Sequence, residues 1–239
     1  MRADAPIWAA LASQIAAQKP GVVGVTVWSG AYPAAMNLAK ALRAAMPSAI
    51  LVAGGAHATL APESLLADGG FDFAINGEGE QAAVLLWRAL AAGAKASEIS
   101  IPGVWRRNAD GTILDNGTAP LAASLDDMPE PDYSGIIPHS GENPVAGVAS
   151  SRGCPFECGF CASQALWTAR VRYRPVAAVV EEISHHRQRF GMRFFRINDD
   201  SFCLRRERVE QFCDLLDQHF GVGTMEFWID ANECSLTPE

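Results

Sequence analysis

An alternation constrains this chain more than any other feature. Over residues 1–92, short β-branched runs, "GVVGVTV" (21–27), "AILVAG" (49–54) and "FDFAI" (71–75), are separated by segments, 33–46 and 80–92, whose apolar residues recur at three and four. Strand, helix, strand, helix in that order predicts an α/β fold: a doubly wound, Rossmann-like parallel sheet with helices on both faces. In open sheets of this kind ligands bind beyond the carboxyl ends of the strands. The loops that fall there are "WSGAYP", "GGAHATLAPE" and "NGEGEQ".

The texture then changes. "IPGVWRR", "NADG" and "TILD" read as a hairpin with Asp-Gly at its turn, and residues 116–144, rich in Pro, Gly, Asp and Ser, read as a linker laid over a surface. Strand and helix signals resume with "VAGVAS" (145–150), a helix over about 175–190, "RFFRIN" (193–198), a helix over about 205–219 and "MEFWID" (225–230). These β-loop-α units are spaced for a barrel or part of one. The expected domains are therefore residues 1–96, a hairpin and linker over 97–144, and a second β/α domain over 145–239.

Composition narrows the function. The 239 residues, 49% of them hydrophobic, suffice for a large core, but the longest apolar runs fall short of the roughly 20 residues that span a bilayer. No export signal is legible at the start, so no membrane span and a cytoplasmic location are expected. A net charge of −8 argues against nucleic acid as a partner. Arginines nevertheless crowd residues 152–208; solvated helix faces are the ordinary reading, and a paired grip on a carboxylate is the alternative. A reducing compartment disfavours disulfides. Cys203, Cys213 and Cys234, widely spaced among apolar neighbours, are expected to be small buried hydrophobes.

The remaining cysteines form "CPFECGFC", residues 154–161. Gly153, Pro155 and Gly159 disfavour a helix there, so the segment is a loop leaving a strand, and a loop lets its thiols converge. Structural zinc wants four protein ligands, and no second pair lies nearby. Three thiolates in a Cys-x3-Cys-x2-Cys spacing suit a [4Fe–4S] cluster with one iron left open to a small molecule. Zinc or a purely structural role remains the alternative.

"SSRGCPFECGFC" resembles the signature of the radical S-adenosylmethionine (SAM) superfamily. The resemblance implies that Cys154, Cys158 and Cys161 hold a [4Fe–4S] cluster, that SAM chelates the open iron, and that Phe160 lies where the family contacts adenine. "RFFRINDDSF" resembles the second barrel strand of that superfamily, which puts Asp199 and Asp200 near the methionyl amino group; the other reading makes them caps of the coming helix. "WIDANE" resembles the third strand end, with Asn232 or Glu233 toward the cavity.

"ILVAGGAHATLAPESLL" followed by "FDFAINGEGEQAAVLL" resembles the cobalamin-binding domain that precedes the barrel in many of these enzymes, over residues 20–92. It implies that Gly54, Gly55, His57, Gly77, Glu78 and Gly79 line a cobalamin site, His57 being a hydrogen-bonding residue before it is a cobalt ligand. Glycines allow close backbone approach, and Glu78 and Glu80 suit a helix start. The resemblance also implies one more strand-helix unit before the first strand and more barrel strands than are legible here, so the sequence reads as part of such an enzyme. The implied activity is cobalamin-dependent radical SAM chemistry on a small-molecule substrate, methyl transfer to an unactivated carbon foremost, with a flavodoxin- or ferredoxin-like electron donor. Two alternatives stand beside it: a radical SAM enzyme that no longer binds cobalamin, and a non-catalytic module that holds a cluster or zinc.

Overall fold

A computed structural model of the chain describes residues 6–67, 70–126, 128–135 and 145–236. The chain divides into two compact units, Met1–Leu121 and Ala122–Glu239.

The first unit runs α1 (Pro6–Ala17), β1 (Val22–Thr26), α2 (Tyr32–Ala45), β2 (Ile50–Gly54), α3 (Ala56–Leu60), α4 (Pro62–Ala67), β3 (Phe73–Ile75), α5 (Gly79–Ala91), β4 (Val104–Arg107) and β5 (Ile113–Leu114). Its sheet has the order β1-β2-β3-β4-β5, parallel across the first three strands and antiparallel across the last two. Side chains alternate across a strand, and that alternation sorts the helices onto two faces. Leu51, Ala53 and Ala74 pack with Ala12, Met36, Leu42, Leu65 and Leu66 from α1, α2 and α4. Val52, Phe73 and Ile75 meet Ala82 and Leu86 of α5 on the other face.

Three expectations need correction here. The hairpin is not part of a connecting segment over 97–144. It completes the sheet, with Ala74 opposite Trp105 and Ile75 opposite Val104, because Val104 and Arg106 are buried and supply the face that β3 lacks. Ala119 then bridges Gly77, so the first unit extends past residue 96 to Leu121. Residues 128–135 of the expected linker go with the second unit, where Tyr133 packs on the core; residues 127 and 136–144 lie outside the described residues. "GGAHATLAPE", expected as a loop, holds α3 and the start of α4, and α1 had no periodic signal strong enough to be read.

The second unit runs β6 (Val145–Val148), β7 (Ser151–Arg152), α6 (Ser163–Trp167), β8 (Arg172–Tyr173), α7 (Val176–Phe190), β9 (Phe194–Ile197), α8 (Arg206–Phe220) and β10 (Glu226–Trp228). β6, β9 and β10 are parallel and adjacent in chain order, joined by α7 and α8. Among the described residues they form an open three-stranded sheet. Ala146, Val148, Phe195 and Ile197 pack against Val179, Val180 and Ile183 of α7 and Phe212 and Leu216 of α8. Cys213 and Cys234 are exposed and Cys203 is only partly covered, so the expectation of three buried hydrophobes fails. Apolar sequence neighbours do not bury a helical residue: Phe212 faces the core and the next position turns away. Among the described residues no helix is long and apolar enough to cross a membrane.

Candidate functional site

Two sets of loops at carboxyl ends of parallel strands carry the predicted residues. In the second unit, the chain leaves β6, pairs briefly as β7 with β8 (Ser151 opposite Tyr173, Arg152 opposite Arg172), and enters the cysteine loop. Gly153 makes the turn at φ +98°, where a Cβ would collide with the Arg170 carbonyl oxygen. Residues 154–161 are non-helical, as the glycines and proline predict. Cys154 is buried, Cys158 partly covered and Cys161 exposed, and all are free thiols. The Cys161 N–H donates to the Cys158 carbonyl at 2.9 Å, closing a turn. Gln164 Nε2 donates to the carbonyls of Cys154 and Phe156 at 3.0 Å each, which ties the loop to α6. The Ser163 N–H reaches Cys161 Sγ at 3.4 Å. Phe160 is 94% exposed, at the open side of the loop.

Among the described residues no three His, Cys, Asp or Glu side chains gather tightly enough for a single metal ion. A cubane cluster takes its thiolates at separate corners and does not require that. The chemistry of the donor set, three free thiols on one loop, fits three corners of a [4Fe–4S] cluster.

The two aspartates have different environments. Asp200 is exposed, whereas Asp199 is 4% exposed and accepts four hydrogen bonds. Its Oδ1 takes the N–H groups of Ser150 (2.7 Å) and Ser151 (2.9 Å), and its Oδ2 takes both serine hydroxyls at 2.6 Å. Neither aspartate caps a helix: α8 begins after Arg205 with no side-chain cap. Asn232 is also used locally, its Oδ1 accepting from the Cys234 N–H at 2.9 Å, and Glu233 opens the short turn that follows.

Buried arginines surround the same strand end. Arg174 Nη1 donates to the Ala149 carbonyl (2.8 Å) and pairs with Glu182 Oε2 (2.6 Å), which is itself buried. Arg208 Nη2 donates to the Ser150 carbonyl at 3.0 Å. Burial pulls the Arg208 guanidinium below its usual value, against the favourable charge of Asp199. Solvated faces were the ordinary expectation for these arginines. Arg172 and Arg174 depart from it, and Arg174 does grip a carboxylate, one supplied by the fold. Ser150, Ser151, Gln164 and Glu182 were missed by the sequence reading; the only signal was the "SSRGC" context of the two serines.

In the first unit the glycine loops cap β2 and β3. Gly55 sits at φ +89°, and a Cβ there would lie 3.0 Å from Thr26 Cγ2 and 3.1 Å from the Val27 carbonyl oxygen. Gly54 has nothing within 4 Å of the place a Cβ would take, so its backbone faces open space at the sheet's ligand-binding edge. Thr59 joins the two loops, its carbonyl accepting from Asn76 Nδ2 and its Oγ1 from the Gly77 N–H, both at 3.0 Å. Among the described residues Asn76 Oδ1 is buried without a hydrogen-bond partner, an acceptor open to a donor. Glu78 is buried and Gly79 begins α5. His57 lies 4.7 Å from the Tyr32 ring, with Nδ1 3.0 Å from Ser29 Oγ and Nε2 3.0 Å from Ser64 Oγ. Both ring nitrogens are engaged, which is the arrangement of a hydrogen-bonding histidine. Bare backbone, an orphaned acceptor and open space together fit a bulky ligand such as a corrinoid.

Known proteins resemble this chain over much of its length. The B12-binding family, described as B12 binding domain, matches residues 1–86. The chain is 30% identical over 195 residues to an uncharacterized methyltransferase, PH0819, of Pyrococcus horikoshii, covering 80% of this chain and 42% of that protein. It is 29% identical over 212 residues to an anaerobic magnesium-protoporphyrin IX monomethyl ester cyclase of Cereibacter sphaeroides, covering 85% of this chain and 34% of that one. Among solved structures, the radical SAM methyltransferase TsrM of Kitasatospora setae, with cobalamin and a [4Fe–4S] cluster bound, superposes with a TM-score of 0.71 at 18% identity, over 94% of this chain and 46% of TsrM. The chain thus spans less than half the length of each of these proteins, and over that span it has the fold of TsrM. The resemblance read from the cysteine and glycine loops is borne out at the level of these relatives.

Proposed function

We propose that this chain is the cofactor-binding portion of a cobalamin-dependent radical SAM enzyme that transfers a methyl group to an unactivated carbon of a small molecule. One observation carries the reading: a three-cysteine loop leaving a parallel strand end, in a chain whose other unit matches the B12-binding family. Cys154, Cys158 and Cys161 hold the [4Fe–4S] cluster. Phe160, exposed beside Cys161, stacks on the adenine of SAM, and Asp200 faces its methionyl amino group. Gly54, Gly55, Gly77 and Gly79 bring bare backbone against cobalamin, with His57 and Glu78 as polar neighbours. Bound there, the cluster and SAM would supply hydrogen-abstracting chemistry, driven by an electron from a flavodoxin- or ferredoxin-like donor in the cytoplasm, and cobalamin would supply the methyl group. The protein's own part is to present three thiolates in order of increasing exposure and to keep one cluster corner open.

The test is anaerobic reconstitution with iron, sulfide and hydroxocobalamin, followed by dithionite and SAM. Retained corrinoid absorbance together with 5′-deoxyadenosine is the expected result. A cluster without cleavage overturns activity for this span, and cleavage without retained corrinoid favours the radical SAM enzyme that has lost cobalamin. The similarity to the cyclase keeps ring formation as a second reading. In the full-length enzyme, methyl transfer yields S-adenosylhomocysteine as well as 5′-deoxyadenosine, and ring formation yields only the latter.

A further inference from the structure

The geometry points to Asp199 as the positioning residue that aims the cysteine loop, not a contact to SAM; this rests on the reading of Cys154, Cys158 and Cys161 as the cluster site. The last paired residues of β6 and β9 are Val148 and Ile197, and the Asn198 N–H still reaches the Val148 carbonyl at 2.8 Å. Beyond that point the ladder between these two strands stops, as it must where a loop turns aside for a ligand. Side chains continue its bonding. Asp199 accepts the N–H groups of Ser150 and Ser151 as a neighbouring strand's carbonyls would. Arg174 Nη1 donates to the Ala149 carbonyl as an amide of that strand would, and the Ser150 carbonyl takes Arg208 Nη2 beside the Arg174 backbone N–H, at 2.9 Å, which leads into the β7–β8 pair. The backbone is thereby pinned from Val148 to Ser151, three residues before Cys154.

A carboxylate offers about four acceptor sites. Two amides and two hydroxyls fill those of Asp199, and burial closes the approach of a fifth donor. The paired aspartates so divide the work: Asp199 holds the strand end and the exposed Asp200 is left to face a ligand.

The experiment uses the full chain with Asp199→Ala, Asp199→Asn and the double variant Ser150→Ala/Ser151→Ala. In the cofactor-free protein, alkylation of Cys154 and of Cys161 by iodoacetamide is followed by mass spectrometry. After reconstitution, iron loss to a chelator and SAM binding by equilibrium dialysis are measured. Losing hydrogen bonds to a buried charge should speed Cys154 alkylation and iron loss by about tenfold in Asp199→Ala, with Cys161 unchanged. The serine variant, which keeps the carboxylate, should show a smaller change in the same direction. Asn retains an acceptor for both amides, so Asp199→Asn should restore Cys154 protection and bind SAM like the parent. If Cys154 stays protected in the Ala and Ser variants, or if Asp199→Asn keeps its cluster and loses SAM, the inference is overturned. Should Asp199→Ala not fold, the Ser and Asn variants decide alone. Should the parent take up no cluster, the cluster reading fails, while alkylation still decides the role of Asp199.

Discussion

The two sheets end differently at their carboxyl edges. In the first unit the edge is made of glycines, one orphaned amide oxygen, hydroxyls around His57 and a single buried carboxylate, Glu78. In the second it is tied by a buried aspartate, a buried glutamate and two arginines. Under the proposed function, the difference follows from what each edge would hold. A large preformed ligand needs space and bare backbone, and Gly54 supplies them at no cost to packing. A cluster assembled on three thiols in a loop needs the loop held still. Charge-assisted hydrogen bonds to backbone do that where the β6–β9 ladder gives way to the short β7–β8 pair.

Four experiments break or sharpen this contrast. The largest effect is expected from Cys154→Ala, which should abolish cluster uptake, measured as iron and sulfide per chain, and leave corrinoid retention as it was. Next is Glu182→Ala. Removing one member of a buried ion pair strands the Arg174 charge and should cost about 3–5 kcal/mol, read from the urea midpoint. The third compares neighbouring glycines. Gly55→Leu forces a side chain onto a positive φ against Val27 and should lower stability by about 1–3 kcal/mol. Gly54→Leu should leave stability within about 0.5 kcal/mol and still expel hydroxocobalamin, because its side chain enters the ligand's space.

The smallest effect is expected from Tyr133→Phe. The phenol donates to the Gly147 carbonyl at 2.7 Å and accepts from the Gly147 N–H at 3.2 Å, so its loss should cost about 1 kcal/mol. Burial raises the Tyr133 phenol above its ordinary value of about 10. The fold therefore favours the neutral form. That contribution is complete below the unfolded value and disappears as pH rises through the folded one. The parent should lose stability on this account in strong alkali, and the Phe variant should lack that limb in a pH series of thermal scans.

Periodicity made the sheet legible. β1, β2, β3, β6, β9 and β10, with α2, α5, α7 and α8, lie where alternation and three-four spacing put them, because their apolar faces are the ones buried. What was not legible depends on pairing across long separations. The hairpin 104–114 could be read as a hairpin, but not as the completing edge of β3. "GGAHATLAPE" reads as loop chemistry, yet it forms α3 and enters α4, whose Leu65 and Leu66 are fully buried. At the site, the three cysteines and the glycines follow from local spacing. The serines and arginines around Asp199 do not, since Ser150 and Asp199 are 49 residues apart and nothing in either neighbourhood names the other.

The graded burial of the three thiols sets an order of wear. An oxidant arriving from solvent meets Cys161 first, Cys158 next and Cys154 last. Early damage, a sulfenic acid at Cys161, is still reducible. In the cluster-free loop the end next to α6 would be spent first, and a reductant that reverses the sulfenic acid would leave the end held by the strand untouched.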